Sequence, residues 1–259
     1  MNVEEGRLFW PYIVSMVSVG LLVGWSINRA ANIFPRDRSQ TAQATQCCHV
    51  HQRAIAPTKM RFLAYLLHRV SYGCCHSCLF LGTGFLFGLV SYHFGASLAT
   101  AVLFMYLSVL VLISKIDINY RLVPNTVVYP GTALVLLLFP ISPMASGREV
   151  GELYLISIEG AVAGFLILLF IHLVLRGGLG AGDVKLGALI GAATGFPLVL
   201  ASLAMAFVIG GVAALLLVSL KASTLKDRMP YAPYLAGATV VSLLLGENIS
   251  EWYMALFKG

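Results

Sequence analysis

The chain has 259 residues, of which 59% are hydrophobic and only 11% are charged. A composition this apolar excludes an ordinary water-soluble domain and indicates an integral membrane protein. The formal net charge is +6, but the basic residues follow the expected membrane topology, so we expect no nucleic-acid partner.

Apolar segments recur along the whole chain, and a helix needs about 20 mostly apolar residues to cross the hydrocarbon core. The first segment follows MNVEEGRLFW, which lacks the basic start of a signal peptide, so we expect it to be retained as a helix. The pattern predicts an all-α polytopic membrane protein with about eight membrane-spanning segments, near 9–28, 79–94, 96–114, 126–143, 153–175, 186–196, 198–219 and 232–246.

The basic residues orient these segments in the bilayer. With the N-terminus outside, all of the 17 lysines and arginines except Arg7, Arg148 and Lys258 fall on the inner side. This asymmetry is what the positive-inside rule requires. It predicts a multi-pass protein of the plasma membrane whose contacts include the lipid bilayer.

The polar segment 29–78 lies between the first two apolar segments and holds all the cysteines: Cys47, Cys48, Cys74, Cys75 and Cys78. In the reducing cytosol disulfides are not expected. Cys48 with His51, and Cys75 with Cys78, form two short-spaced ligand pairs that are typical of a structural zinc site. The alternative ligands are Cys47, His49, Cys74 and His76, and the alternative to zinc is a set of reduced or acylated thiols. We expect three parts: the first membrane helix at 1–28, this cytoplasmic Cys/His-rich segment, and a membrane-embedded domain at 79–259.

Two aspartates stand at the ends of apolar runs, where a carboxylate carries a desolvation penalty. Asp117 lies in SKIDINYRLVPN and Asp183 in GGLGAGDVKLG. Gly180 and Gly182 remove side-chain bulk beside Asp183, where a partner could approach. Two carboxyls that share a proton can activate water, one as base and one as acid. The pattern therefore predicts a catalytic pair, the alternative being two unrelated charges at helix ends.

Three other charged residues have open roles at this point. Glu159 lies inside the fifth apolar segment, where it could bond another helix, line a polar cavity or take part in catalysis. Lys185 and Arg121 could contact the aspartates, or they could anchor helices at the interface by extending toward water.

Five segments of the chain are similar to the type IV prepilin peptidases, which are membrane aspartyl proteases of the G-x-G-D group. They are GLLVGWSINRAANIFPR at 20–36, IDINYRLVPNTVVYP, GAVAGFLILL at 160–169, GLGAGDVKLGALIGAATG, and MPYAPYLAG at 229–237. The last resembles the family's Pro-Phe-Gly-Pro segment, with Ala232 where glycine is usual. The resemblance implies that Asp117 and Asp183 are the catalytic pair.

The resemblance also implies a reaction, a substrate and a second activity. The enzyme would remove a short basic leader, after a glycine, from a type IV prepilin or pseudopilin precursor at the cytoplasmic face of the bacterial inner membrane. S-adenosylmethionine would then methylate the new N-terminus, and Gly73 matches a family glycine that we assign to cofactor binding.

The chain also departs from the family pattern. The first cysteine pair is reduced to C-x-x-H, and the Ile-Ser-x-Arg-Tyr-Pro stretch linked to methyl transfer is absent after Cys78. We therefore expect cleavage and methylation to be separable. The alternative function is an ion or proton-coupled transporter using Asp117, Asp183 and Glu159, but a transporter places its acids near the membrane midplane. A catalytically inactive partner of a secretion machine is a third interpretation.

Overall fold

A computed structural model describes residues 3–33, 76–143, 148–174, 179–220 and 230–246. Regular structure in these residues is entirely helical. The helices are α1 Val3–Ile33, α2 His76–Phe94, α3 Leu98–Tyr120, α4 Asn125–Leu138, a 3₁₀ turn at Phe139–Ile141, α5 Val150–Val174, α6 Ala181–Thr194, α7 Leu198–Ser219 and α8 Ala232–Leu244.

Each expected apolar segment coincides with one of these helices, which confirms the all-α polytopic class. Among the described residues, four stretches are long and apolar enough to cross a membrane, namely Trp10–Ala31, Leu98–Tyr120, Val150–Val174 and Leu198–Leu216. Three further apolar helices are shorter: Leu79–Phe94, Asn125–Ile141 and Ala232–Leu244. The remaining helix, α6, has 14 residues and a length of about 21 Å, less than the hydrocarbon thickness. The count of eight membrane-spanning segments stays a prediction.

Two helix boundaries differ from the hydropathy pattern, and both differences concern the aspartates. Helix α3 continues past residue 114 to Tyr120 and stops at Arg121, whose φ of 52° is left-handed. Helix α6 begins at Ala181 rather than near 186. Hydropathy stops at the first polar residues, whereas helical hydrogen bonding continues through them. Asp117 and Asp183 therefore lie inside helix ends rather than in loops.

Helices α5 and α6 pack with unusually close backbones. Gly160 and Gly164 of α5 face Gly191 and Gly187 of α6, and a Cβ on Gly191 would collide with the carbonyl oxygen of Gly160. Ser157 reinforces the contact, since its hydroxyl donates a 2.6 Å hydrogen bond to the carbonyl of Ala192. Small residues at membrane helix interfaces permit this approach. The contact fixes α6 against α5 along most of its length.

Helix α6 is the centre of the packed domain. It contacts α4, α5, α7 and α8, while α8 also packs on α7 and α3. Helices α1 and α2 pack against each other, and α1 touches α3. This arrangement brings the end of α3, the start of α6 and the start of α8 to the same end of the helix bundle.

Candidate active site

Asp117 lies in the last turn of α3, and its side chain is buried. Its Oδ2 accepts a 3.0 Å hydrogen bond from the main-chain N–H of Ala232, and its carboxyl also accepts one from the main-chain N–H of Tyr231. The positive charge of Arg121 acts favourably on the same carboxylate. Because Ala232 is the first residue of α8, the partial positive charge of a helix N-terminus also faces Asp117.

Asp183 lies in the first turn of α6 and is likewise buried. Its Oδ2 accepts a 3.1 Å hydrogen bond from the N–H of Gly180, and its own N–H donates to the Gly180 carbonyl at 3.0 Å. This reciprocal pair is the capping arrangement of a helix start. The G-x-G-D sequence therefore fixes the Asp183 carboxyl at the N-terminus of α6.

The loop after α3 and the start of α6 touch through a glycine. A Cβ on Gly182 would lie 2.7 Å from the Cβ of Val123, closer than two carbon atoms can approach without a shift. The residue before Asp183 must therefore be glycine for the two segments to meet. The contact holds the two aspartate-bearing helix ends together, and the catalytic role of the pair stays a prediction.

The two carboxyls influence each other electrostatically. Asp183 lies outside the four stretches that are long and apolar enough to cross a membrane. Burial, and then the negative charge of Asp117, raise the pKa of the Asp183 carboxyl to about 7, against the opposing effects of the Gly180 N–H and of His172. Near neutral pH a carboxyl of this kind holds its proton much of the time, as a general acid must.

His172 connects the last turn of α5 to the segment that precedes Asp183. Its Nδ1 lies 2.7 Å from the carbonyl oxygen of Leu179. A carbonyl only accepts, so Nδ1 carries the hydrogen. This bond ties the end of α5 to the residues that lead into α6. The sequence pattern alone did not single out His172.

Lys185 and Arg121, whose roles the sequence left open, have different surroundings. The Lys185 ammonium donates a 2.8 Å hydrogen bond to Oδ1 of Asn125 and lies 5.3 Å from the ring centre of Tyr129. It thus joins α6 to α4. The positive charge of Arg121 acts on the carboxyl of Asp117. Of the two roles that the sequence allowed for Arg121, this effect favours interaction with an aspartate.

Glu159 lies away from this site. Its side chain is exposed on α5, whereas the buried residues of that helix include Ser157, Gly160 and Gly164, which face α6. The charged groups that act on Asp117 and Asp183 in the described part of the chain do not include Glu159.

Most of the residues expected to bind metal or cofactor lie outside the described residues, namely Cys48, His51, Gly73 and Cys75, with the alternatives Cys47, His49 and Cys74. Cys78 and His76 fall within the first turn of α2. Within the described ranges, no three His, Cys, Asp or Glu side chains are grouped as metal ligands. The zinc and cofactor assignments stay predictions.

Sequence reasoning missed the main-chain donors at Tyr231 and Ala232, which hold Asp117. The segment MPYAPYLAG was noted only for its resemblance to a family pattern. Main-chain N–H groups are the same in every residue except proline, so residue identities do not reveal which of them bind a carboxylate.

Comparisons with known proteins identify relatives of this chain. The type IV leader peptidase family matches residues 104–215, a stretch that includes both aspartates. A prepilin leader peptidase/N-methyltransferase of Bacillus subtilis (strain 168) is 27% identical over 253 residues, which cover 93% of this chain and 97% of the relative. A protein of the same name from Pseudomonas putida is 30% identical over 231 residues, or 83% of this chain and 75% of the relative. No solved structure matches the chain.

Proposed function

Since the chain belongs to the type IV leader peptidase family, we propose that it cleaves prepilin-like precursors with Asp117 and Asp183 as its two catalytic carboxyls. The meeting of these residues at adjoining helix ends, inside the stretch that matches the family, carries the proposal. The surroundings of the two carboxyls also suit different roles. Both carboxyls are buried, but Asp117 accepts two main-chain hydrogen bonds that offset part of the cost of its charge, while Asp183 retains a proton near neutral pH.

Hydrolysis then needs only the pair, a water molecule and the scissile peptide. The Asp117 carboxylate takes a proton from water as the water oxygen attacks the carbonyl carbon. Asp183 gives its proton to the carbonyl oxygen, which produces a neutral tetrahedral intermediate. As the C–N bond breaks, Asp117 gives its proton to the leaving nitrogen, and a hydroxyl of the intermediate returns a proton to Asp183. Both carboxyls recover their starting states.

The substrate proposal rests on the relatives' names and on the chain's apolar character. Both relatives described above are named prepilin leader peptidase/N-methyltransferase. We propose that the substrate is a type IV prepilin or pseudopilin with a short basic leader that ends in glycine. Its apolar helix lies against the bundle in the bacterial inner membrane, and its leader reaches the aspartates from the cytoplasm. In the predicted eight-segment topology with the N-terminus outside, both aspartates lie on that side.

The N-methyltransferase activity and the zinc site involve parts of the chain other than the aspartate pair. The relatives' names support an N-methyltransferase activity, for which S-adenosylmethionine supplies the methyl group and Gly73 belongs to its site. We propose structural zinc on Cys48, His51, Cys75 and Cys78 in the segment 29–78, between the helix at 1–28 and the peptidase domain at 79–259. No step of hydrolysis involves either group.

The transporter alternative has little support. A proton path through Asp117, Asp183 and Glu159 needs these three acids in one continuous polar route. Glu159 is exposed on α5, away from the face that packs on α6. The aspartates instead form a pair at helix ends, as hydrolysis requires.

The proposal is tested by removing each carboxyl in the full-length protein. We expect Asp117→Asn and Asp183→Asn each to lower the cleavage rate at least about 100-fold, because general acid–base groups contribute that much. Cleavage is followed by gel mobility with a precursor that carries a basic leader, a glycine and an apolar helix.

Glu159→Gln is the matched control, since it makes the same chemical change in an exposed acid outside the site. We expect it to cleave at the wild-type rate. Near-normal cleavage by Asp183→Asn would overturn the assignment, whereas equal losses in all three variants would indicate a general effect of removing carboxylates.

A further inference from the structure

Tyr231 interacts with both aspartates. Its main-chain N–H donates to the Asp117 carboxyl, and the next residue, Ala232, donates to Oδ2 of Asp117. Its phenol lies close enough to Asp183 for the charge of that carboxyl to act on the hydroxyl. Tyr231 immediately precedes α8, so a single position connects the two halves of the site.

The ring of Tyr231 is held in place by α7 and α8. Its centre lies 5.8 Å from that of Phe207 and 6.3 Å from that of Tyr234. A Cβ on Gly210 would lie 2.9 Å from Cε2 of the ring, so the glycine leaves room for the aromatic edge. These contacts fix the ring without involving the hydroxyl.

The hydroxyl of Tyr231 is buried and has no hydrogen-bond partner among the described residues. A buried polar group without a partner is costly and calls for an explanation. Burial, and then the charge of Asp183, raise the pKa of the Tyr231 hydroxyl, so it keeps its hydrogen throughout the working pH range and is available as a donor.

We propose that Tyr231 is a positioning residue whose hydroxyl donates a hydrogen bond to Asp183 when that carboxyl gives up its proton. The inference rests on the proposed peptidase function and extends it. During hydrolysis Asp183 becomes a buried carboxylate beside Asp117, and a phenol hydrogen bond to a carboxylate is strong. The bond makes Asp183 a better acid toward the carbonyl oxygen of the substrate.

The other charged groups near Asp183 are unchanged by a substitution that removes only the Tyr231 hydroxyl. Asp117 faces Asp183 from α3 and His172 from α5, while Arg121 acts on Asp117. On α6 itself, the Lys185 ammonium is bonded to Asn125 of α4. None of these groups changes when only the phenol oxygen is removed.

Tyr231→Phe removes that oxygen and keeps the ring that packs on Phe207 and Gly210. The family segment that this stretch resembles has phenylalanine at the aromatic position, so we expect the variant to fold. We expect kcat to fall on the order of tenfold with little change in KM. We also expect the alkaline limb of the pH–rate profile to move up by about one unit, since a weaker acid loses its proton at higher pH.

Tyr234→Phe is the matched control, because it removes a neighbouring phenol from the same helix and leaves Tyr231 intact. It should keep the wild-type profile. A ring-fluorinated tyrosine at position 231 is a second test that keeps the hydroxyl and strengthens it as a donor. We expect that substitution to move the alkaline limb to lower pH, opposite to phenylalanine.

The outcomes separate this inference from the proposed function. If the wild type does not cleave the precursor, or Asp183→Asn cleaves it normally, the peptidase assignment is wrong. A second outcome is that the wild type and Asp183→Asn both behave as expected while Tyr231→Phe and the fluorinated protein keep the wild-type kcat and the wild-type alkaline limb of the pH–rate profile. In that case only the role of Tyr231 is wrong. A loss of kcat in Tyr231→Phe with an unmoved alkaline limb would also overturn it, because that pattern reflects packing alone.

Discussion

At the scale of single residues, Asp117 and Asp183 are chemically identical side chains with different surroundings. Burial opposes the charge of Asp117, and two main-chain N–H groups together with the charge of Arg121 offset part of that cost. Burial and the charge of Asp117 hold the proton on Asp183. A base and an acid can thus arise from one residue type, since pKa values depend on desolvation, neighbouring charge and hydrogen bonding.

The pH dependence of cleavage should report the proton on Asp183. The pKa of this carboxyl is raised to about 7, so the acid form is present below that pH and is lost as the pH rises through it. We expect the single-turnover cleavage rate to fall above about pH 7, approaching tenfold per unit. The rate would be measured between about pH 5 and about pH 9, with enzyme integrity checked by return to neutral pH. A rate that stays flat to the alkaline end would contradict this assignment.

At the scale of helices, α6 is positioned by glycines on two sides. Gly187 and Gly191 allow its close contact with α5, and Gly182 allows its first turn to meet Val123 in the loop after α3. The first contact fixes the depth and rotation of α6 in the bundle. The second determines how near Asp183 comes to Asp117. The glycines therefore connect helix packing to the geometry of the pair.

Gly182→Ala should impair cleavage because its Cβ would lie 2.7 Å from the Cβ of Val123. The first turn of α6 and the loop after α3 must separate, and we expect a loss on the order of tenfold to a hundredfold, since small displacements of catalytic groups are costly. Initial cleavage rates and thermal unfolding would be measured together. Gly237→Ala is the matched control, because a Cβ there meets open space.

A double variant sharpens this prediction. Val123→Gly removes the atoms that the new methyl group would meet, so Gly182→Ala combined with Val123→Gly should recover part of the lost rate. Neighbouring sites couple in this way when they share a steric contact. If the double variant is no better than the product of the two single effects, the contact with Val123 is not the cause of the loss.

At the scale of the whole molecule, three helix ends meet at the site, those of α3, α6 and α8. The Asp117–Ala232 hydrogen bond and the Gly182–Val123 contact place them at one end of the bundle. The distribution of basic residues in the sequence predicts that this end faces the cytoplasm. A substrate leader in the cytosol can then reach the carboxyls without entering the hydrocarbon.

The orientation of the bundle can be tested with single cysteines in a variant whose natural cysteines are replaced by serine. We expect Leu122→Cys, beside the site, to resist a membrane-impermeant thiol reagent added to intact cells. Arg148→Cys, in the expected outer loop, should react with it. The cysteine-free parent must still cleave the precursor. If the cysteine at position 122 is labelled in intact cells and the cysteine at position 148 is protected, the orientation of the protein is opposite to the one expected here.

The sequence by itself determined the membrane class and the order of the apolar helices, and it singled out the two aspartates as candidate catalytic residues. The bilayer selects membrane-spanning segments by their apolar length and orients them by their flanking basic residues. Neither effect depends on how the helices pack against one another. The aspartates were visible because a carboxylate at the edge of an apolar run is rarely tolerated without a role. G-x-G-D and the segment around Asp117 added the resemblance to a family.

Only the tertiary structure decided what surrounds each aspartate. The N–H of Ala232 lies 115 positions along the chain from Asp117, and any residue except proline could have supplied it. The contact of Gly182 with Val123, and the nearness of Tyr231 to Asp183, also depend on how the helices pack. Residue types indicated which groups do the chemistry, whereas the proton on Asp183 and the donors to Asp117 follow from long-range packing, because burial and hydrogen bonding are properties of the folded chain.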